Sequence, residues 1–291
     1  MSGTGDLGAA DAADAAEPSP SVWPPAWPQP GGVSWPAAGE VHLWWLDLRK
    51  AAWPHEELWP WLDAEEQARA ARFRRDVLRL RHVAAHGQMR ALLAAYLGTT
   101  PAALRFEFEA NGKPLLVPPA EPSDSADRAT ASPHSLAFNL SHSGDQGLLA
   151  IAGDAVALGA DIEMLRPMND VEDLARRYFT AREATALQSL PASQRHEAFL
   201  AAWTRKEAYL KALGAGLSLD TTTFEVTLLP DEPPMLRSID GNETIAAEWT
   251  LWSGRPTSAS IAAVAVHHRF ATVRCYMLRP PAPRNVTPSG S

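Results

Sequence analysis

With 291 residues and a formal net charge of −8, the chain is long enough for one large domain or two small ones with a real core. The acidic balance excludes broad, non-specific nucleic-acid binding but leaves room for a local basic patch. No apolar run is long enough to span a bilayer, the start lacks the basic-then-apolar pattern of a secretory signal, and the single cysteine, Cys275, has no internal partner; together these predict a cytoplasmic protein with no membrane partner.

Residues 1–39 are rich in Ala, Gly, Pro, Ser and Asp, with Trp23, Trp27 and Trp35 set among prolines. Such a segment buries little surface and is read as a flexible tail. Order is expected from Glu40, where V-H-L-W-W-L-D-L has the branched and aromatic content of a strand. Asp63 followed by Glu66 predicts a capping box opening a helix. A longer helix follows. It has an apolar stripe through Leu80, Val83, Ala84, Gly87, Ala91, Leu92 and Ala95, and Gly98 ends it. L-R-F-E-F-E reads as a strand leading to a turn at Asn111-Gly112. Residues 118–133 are a low-complexity stretch, read as an inserted loop. L-A-F-N-L-S-H-S and G-L-L-A-I-A then suggest paired strands.

The second half repeats this order. V-A-L-G-A-D-I-E predicts a strand, and D-V-E-D-L-A-R-R-Y and about Gln194–Leu213 predict helices. Further strands are expected near Thr223–Leu228, Ala246–Trp252, Ser260–Val266 and Thr272–Leu278, before a tail from 281. Strands and helices do not alternate strictly, which favours α+β over a doubly wound sheet. The expected division is a first lobe over 40–153 and a second over 154–280.

Asp161 and Glu163 stand two apart in a predicted strand, so they share a face. Their mutual repulsion persists unless a cation offsets it. Glu207 and Lys211 stand four apart on a predicted helix and also share a face. A D-x-E pair at a strand end is ordinarily solvated, and E-x-x-x-K is ordinarily a weak surface ion pair. Here the acids follow an apolar strand, and Trp203 lies one turn before Glu207. Three carboxylates with Lys206 and Lys211 beside them suit a hard divalent cation handling a phosphate. Ser141-His142 follows a short strand. No G-x-S-x-G accompanies it, which removes a serine hydrolase and leaves phosphate or ribose contact. Lys113 sits in the N-G-K-P turn. Arg69, Arg72, Arg74, Arg75, Arg79 and Arg81 form a basic cluster without the aromatic interleaving of a nucleic-acid platform. Neither a Walker loop nor G-x-G-x-x-G occurs.

F-N-L-S-H-S, L-G-A-D-I-E and W-T-R-K-E-A-Y-L-K-A-L-G-A-G-L, in this order, resemble the 4′-phosphopantetheinyl transferases of the two-lobed, surfactin-synthetase-activating type. N-G-K-P and the arginine-rich helix before it are similar to the same family. The resemblance runs from Glu40 to Phe224 and more loosely to Leu278. It implies a monomer of two similar α+β lobes, a pseudo-duplicated fold with small, mainly antiparallel sheets on helices. It also implies coenzyme A as substrate, Mg²⁺ (or Mn²⁺) as cofactor, and a serine of an apo carrier protein as acceptor, with adenosine 3′,5′-bisphosphate released. The matching positions make Asp161, Glu163 and Glu207 the metal ligands. Arg69, Arg81, Lys113, Ser141, His142, Lys206 and Lys211 become coenzyme contacts, with His142 near the 3′-phosphate. The serine proton is assigned to Glu207 or, alternatively, Glu163, with Lys211 assisting. Ala160 departs from the branched residue more usual before the aspartate, and the 118–133 stretch is longer than the family's spacing. A non-catalytic coenzyme A or carrier-binding protein, and another Mg²⁺-dependent phosphotransferase or pyrophosphate hydrolase, are the competing readings.

Overall fold

The computed structural model describes residues 34–117, 136–153, 156–215, 219–269 and 271–278. Most of the predicted N-terminal tail, the predicted insertion at 118–133 and the tail from 281 lie outside the described residues. The first half runs β1 (Glu40–Asp47), α1 (His55–Leu58), α2 (Ala64–Ala71), α3 (Asp76–Leu97), a small hairpin β2 (Phe106–Phe108) and β3 (Pro114–Leu116), then β4 (Ala137–Ser143) and β5 (Gln146–Ala152). The second half runs β6 (Leu158–Met164), α4 (Val171–Tyr178), α5 (Ala181–Ser189), α6 (Ala192–Leu213), β7 (Phe224–Val226), β8 (Leu236–Ile239), α7 (Glu243–Ala246), β9 (Thr250–Gly254), β10 (Ser260–Val266) and β11 (Thr272–Met277).

Duplication is visible in the strand orders. In the first half β1, β5 and β4 lie side by side, and in the second β6, β10 and β9 do. Each half therefore opens with a strand, inserts a 22-residue helix and closes with an antiparallel hairpin whose second strand lies between the other two. The expected α+β fold of two similar lobes is what the chain forms. One strand crosses between the halves. β11, expected to close the second lobe, instead pairs in parallel with β1 at the edge of the first sheet. Periodicity could identify it as a strand but not which sheet edge it would complete.

The two sheets pack face to face with one long helix outside each. Period-two alternation produces this layering. Val41 and Leu43 of β1, with Leu148 and Ala150 of β5, meet Ala160, Ile162, Ala262 and Val264 in a central apolar layer. The intervening Trp44, Leu46, Leu149 and Ile151 point the other way, onto α3. On the far side Ile261, Ala263 and Ala265 of β10 pack with Phe199, Ala202 and Leu210 of α6. β5 and β10 are buried at every residue, so both read as continuous apolar runs rather than alternating ones.

Local signals hold where they were specific. Asp63 and Glu66 form a reciprocal capping box at α2, and Gly98 closes α3 in the left-handed region, φ 62°. Two details differ. Trp35 packs on the first core and Pro36 is buried above Gly153, so ordered contacts begin before Glu40. The strand expected over Ala246–Trp252 starts later, at Thr250, because Asn242 caps the short α7 through its side chain.

Candidate active site

β6 and α6 build the acidic centre. Leu158, Ala160 and Ile162 of β6 enter the central core, which leaves Gly159, Asp161 and Glu163 on the opposite face, toward α6. Helix and strand approach so closely at Gly159 that a Cβ there would lie 2.1 Å from the Ala208 carbonyl oxygen. That contact requires glycine and brings the next turn of α6, with Glu207 and Lys211, over the two strand acids.

Asp161 is buried. Its Oδ1 accepts from Lys211 Nζ at 2.6 Å and from Ser141 Oγ at 2.9 Å, and Lys211 Nζ also donates to Ser141 Oγ at 2.9 Å. Asp161 Oδ2 is buried without a hydrogen-bond partner. Glu163 is half-buried and accepts from Ser143 Oγ at 2.8 Å. Burial pushes all three carboxyls above their ordinary range. For Asp161, Lys211 and Ser141 counteract it; for Glu163, the neighbouring Asp161 adds to it; for Glu207, Asp161 and then Glu163 add to it, against Lys211. The three acids therefore share one electrostatic neighbourhood, as the strand and helix spacings predicted. Among the described residues, no three His, Cys, Asp or Glu side chains stand in a finished metal-binding arrangement.

β4 is the seam between the halves. Asn139 Oδ1 accepts from Ala160 N at 2.9 Å, Ser141 meets Asp161, and Ser143 meets Glu163 while its Oγ also accepts from Met164 N at 3.3 Å. Alternate side chains of one edge strand thus dock on the other. Ser143 was not singled out by sequence reasoning, although S-H-S already put it on the Ser141 face by period two.

Beside this seam lies a cavity of about 470 Å³ lined by residues including Arg69, His82, His86, Phe106, Phe108 and His142. That volume lies within the range of small-molecule sites. His142 opens onto it. The protein packed around it, then His86, Lys211 and Arg69, hold its imidazole below the ordinary value. His82 falls further, to about 4, through burial and then His86. His86 donates to Glu66 Oε1, 3.0 Å away, and Glu66 is in turn bound by the buried Arg90 at 2.6 Å. His86 and the two phenylalanines were missed at the sequence level. The H-x-x-x-H spacing of His82 and His86 was the available signal.

The remaining sequence candidates divide. Arg69 lines the cavity. Arg81 pairs with Asp145, Nη2 to Oδ1 at 2.6 Å, on the turn between β4 and β5. Lys113 donates to the carbonyls of Leu158 at 3.1 Å and Ala212 at 2.9 Å, tying the β2–β3 hairpin to the start of β6 and the end of α6. Lys206 is a correction. Its side chain is 1% exposed and lies 2.8 Å from Glu183 Oε2, whose own side chain is equally buried. It also donates to the carbonyls of Thr221 and Phe224 at 2.8 and 2.7 Å. It points into the core on the side of α6 away from Asp161, because adjacent helical residues diverge by about 100°. No free donor remains for a ligand. The α5 helix that supplies Glu183 was not predicted, though T-A-R-E at Thr180–Glu183 is a capping box.

Comparison with known proteins finds relatives over most of the chain. Residues 157–265 match the model of the 4′-phosphopantetheinyl transferase superfamily. The 4′-phosphopantetheinyl transferase HetI of Nostoc sp. is 39% identical over 227 residues, covering 78% of this chain and 87% of that protein. A Bacillus pumilus 4′-phosphopantetheinyl transferase is 32% identical over 200 residues, 69% and 78% of the two chains. Among solved structures, a Bacillus anthracis holo-(acyl-carrier-protein) synthase in complex with CoA (3′,5′-ADP) overlaps 38% of this chain and 95% of its own at 24% identity, with a TM-score of 0.29.

Proposed function

The chain belongs to the 4′-phosphopantetheinyl transferase family, and we propose that it transfers the 4′-phosphopantetheine group of coenzyme A to a serine of an apo carrier protein, using Mg²⁺ held by Asp161, Glu163 and Glu207. The observation that supports this most is the shared neighbourhood of three carboxyls, all raised by burial, with Glu163 raised further by Asp161 and Glu207 by Asp161 and Glu163, beside a cavity lined with Arg69 and His142. The donor set is all oxygen, as a hard cation requires, and the partnerless buried Oδ2 of Asp161 fits a ligand atom. When bound, Mg²⁺ neutralises charge on the coenzyme's pyrophosphate.

The residues divide the work as follows. The cavity receives the nucleotide end, with Phe106 and Phe108 as apolar walls and Arg69 and His142 on the 3′-phosphate. Lys211 faces the pyrophosphate with its ammonium, held by Asp161 and Ser141. The carrier serine oxygen attacks the phosphorus that bears pantetheine, and the bond from that phosphorus to the bridging oxygen breaks. Adenosine 3′,5′-bisphosphate leaves. Glu207 takes the serine proton. Burial and its acidic neighbours raise its basicity toward working pH, which favours it as a general base. Lys113 fixes the hairpin wall of the cavity rather than a phosphate. Both halves of one chain supply the whole site, which suits a monomer, and its substrates are cytoplasmic.

The test is mass gain on an apo acyl carrier protein mixed with coenzyme A, Mg²⁺ and enzyme. Glu207→Gln is expected to lower the rate roughly a hundredfold to ten-thousandfold. Full activity in that variant removes Glu207 as base. Bisphosphate released without any carrier would instead indicate a pyrophosphate hydrolase.

A further inference from the structure

The arginine cluster is only partly used by the site. On a chain with 34 acidic and 26 basic residues, the ten residues from Arg72 to Arg81 hold five arginines and one aspartate. All of residues 74–80 are exposed. Arg79 pairs with Asp76 and Arg81 with Asp145; Arg74 and Arg75 have no ion-pair partner among the described residues. Apolar side chains stand between them: Val77 is 47% exposed, Leu78 38% and Leu80 40%. Leu80 was expected to begin the core stripe of α3, and it does not. At about 100° per residue, Leu80, Val77 and Leu78 spread across one broad side of α3, with Arg81 between Val77 and Leu78, Asp76 beside Leu80 and Arg79 opposite. An exposed apolar strip flanked by unpaired guanidinium groups is unusual for a surface with no partner.

The patch also borders the active site. Arg81 binds Asp145, Asp145 lies two residues after Ser143, and Ser143 donates to Glu163.

We infer that the first two turns of α3, with Arg74 and Arg75 before them, form a docking surface for the carrier protein, receiving an acidic amphipathic helix whose apolar side chains cover Val77, Leu78 and Leu80. The inference rests on the transferase reading. Charge complementarity selects the occupant: carboxylates satisfy the arginines, and apolar groups cover the strip. A polyanion would satisfy the arginines but leave the strip exposed.

The experiment uses the full chain and a fluorescently labelled, acidic apo acyl carrier protein. Anisotropy without coenzyme A measures docking apart from chemistry, and the transfer assay gives KM for each substrate. The variant Arg74→Glu with Arg75→Glu is expected to weaken carrier binding about tenfold or more and to raise carrier KM in step. KM for coenzyme A and kcat at saturating carrier stay unchanged, and the salt dependence of binding flattens. Leu78→Ser weakens binding without that flattening. Reversing acids on the carrier helix to lysine restores binding to the double variant. Unchanged carrier binding in both variants overturns the inference. A rise in coenzyme A KM with carrier binding intact also overturns it, since it assigns the arginines to coenzyme phosphates. So does loss of the double-variant effect when Asp6, Asp11, Asp14 and Glu17 are neutralised in the full chain, which assigns the patch to the chain's own N-terminal segment. Wild-type binding without mass gain on the carrier leaves docking intact and defeats the transferase reading alone.

Discussion

Replacing Lys206 by Met distinguishes a buried strut from a ligand contact. Lys206 Nζ makes three short contacts, to Glu183 Oε2 and to the carbonyls of Thr221 and Phe224, and both charged side chains are 1% exposed. Burial lowers the lysine's pKa and raises the glutamate's, so each ion offsets the other's cost of leaving water. Removing one partner of such a pair costs about 3–5 kcal/mol, a large share of the roughly 5–15 kcal/mol that holds a protein of this kind together. At about 2–4 °C per kcal/mol, the melting temperature should fall by about 6 °C or more. Glu183 keeps the backbone N–H groups of Thr180 and Val226, which places Lys206→Met at the lower end. Adding Glu183→Gln should recover part of the loss, because no lone charge then remains buried. The assay is a double-mutant cycle by urea denaturation, with KM for coenzyme A measured on the folded fraction. Unchanged stability with a tenfold higher KM would refute the reasoning and return Lys206 to the coenzyme site.

Gly159→Ala forces a Cβ into the backbone of α6 at Ala208 and Ala212. It should destabilise by about 1–3 kcal/mol or more and abolish transfer even where folded, read by denaturation and by carrier mass. The three carboxyls predict a linked effect of pH and metal. Their folded pKa values lie above their ordinary ones, so the folded state holds extra protons between the two, and stability falls as pH rises through that interval. Mg²⁺ should therefore raise the melting temperature more at alkaline than at acidic pH, by about 2.7 kcal/mol of stabilisation at a hundredfold excess over Kd. Equal shifts at both pH values would argue against carboxylate ligation. His142→Ala should raise KM for coenzyme A about tenfold or more, as loss of a hydrogen bond to a charged group does, yet leave 3′-dephospho-coenzyme A unaffected. Equal losses for both would move His142 off the 3′-phosphate.

Much of the site was legible because its chemistry is local in sequence. Period two in β6 sets Asp161 and Glu163 on one face, and a four-residue helical step does the same for Glu207 and Lys211. Capping residues fixed α2, and Gly98 the end of α3. The sequence by itself thus determined which residues share a face and the α+β order of elements. It did not determine which of the two lysines of α6 meets the strand acids. Lys206 and Lys211 look alike in a motif, but α6 turns one toward Glu183 and the other toward Asp161. Nor did it place β11, assign His86 and Phe108 to a cavity wall, or expose Val77, Leu78 and Leu80 at the head of α3. Each of these depends on contacts between segments far apart in the chain, and pairing and burial across such distances are set by packing, which no local period encodes.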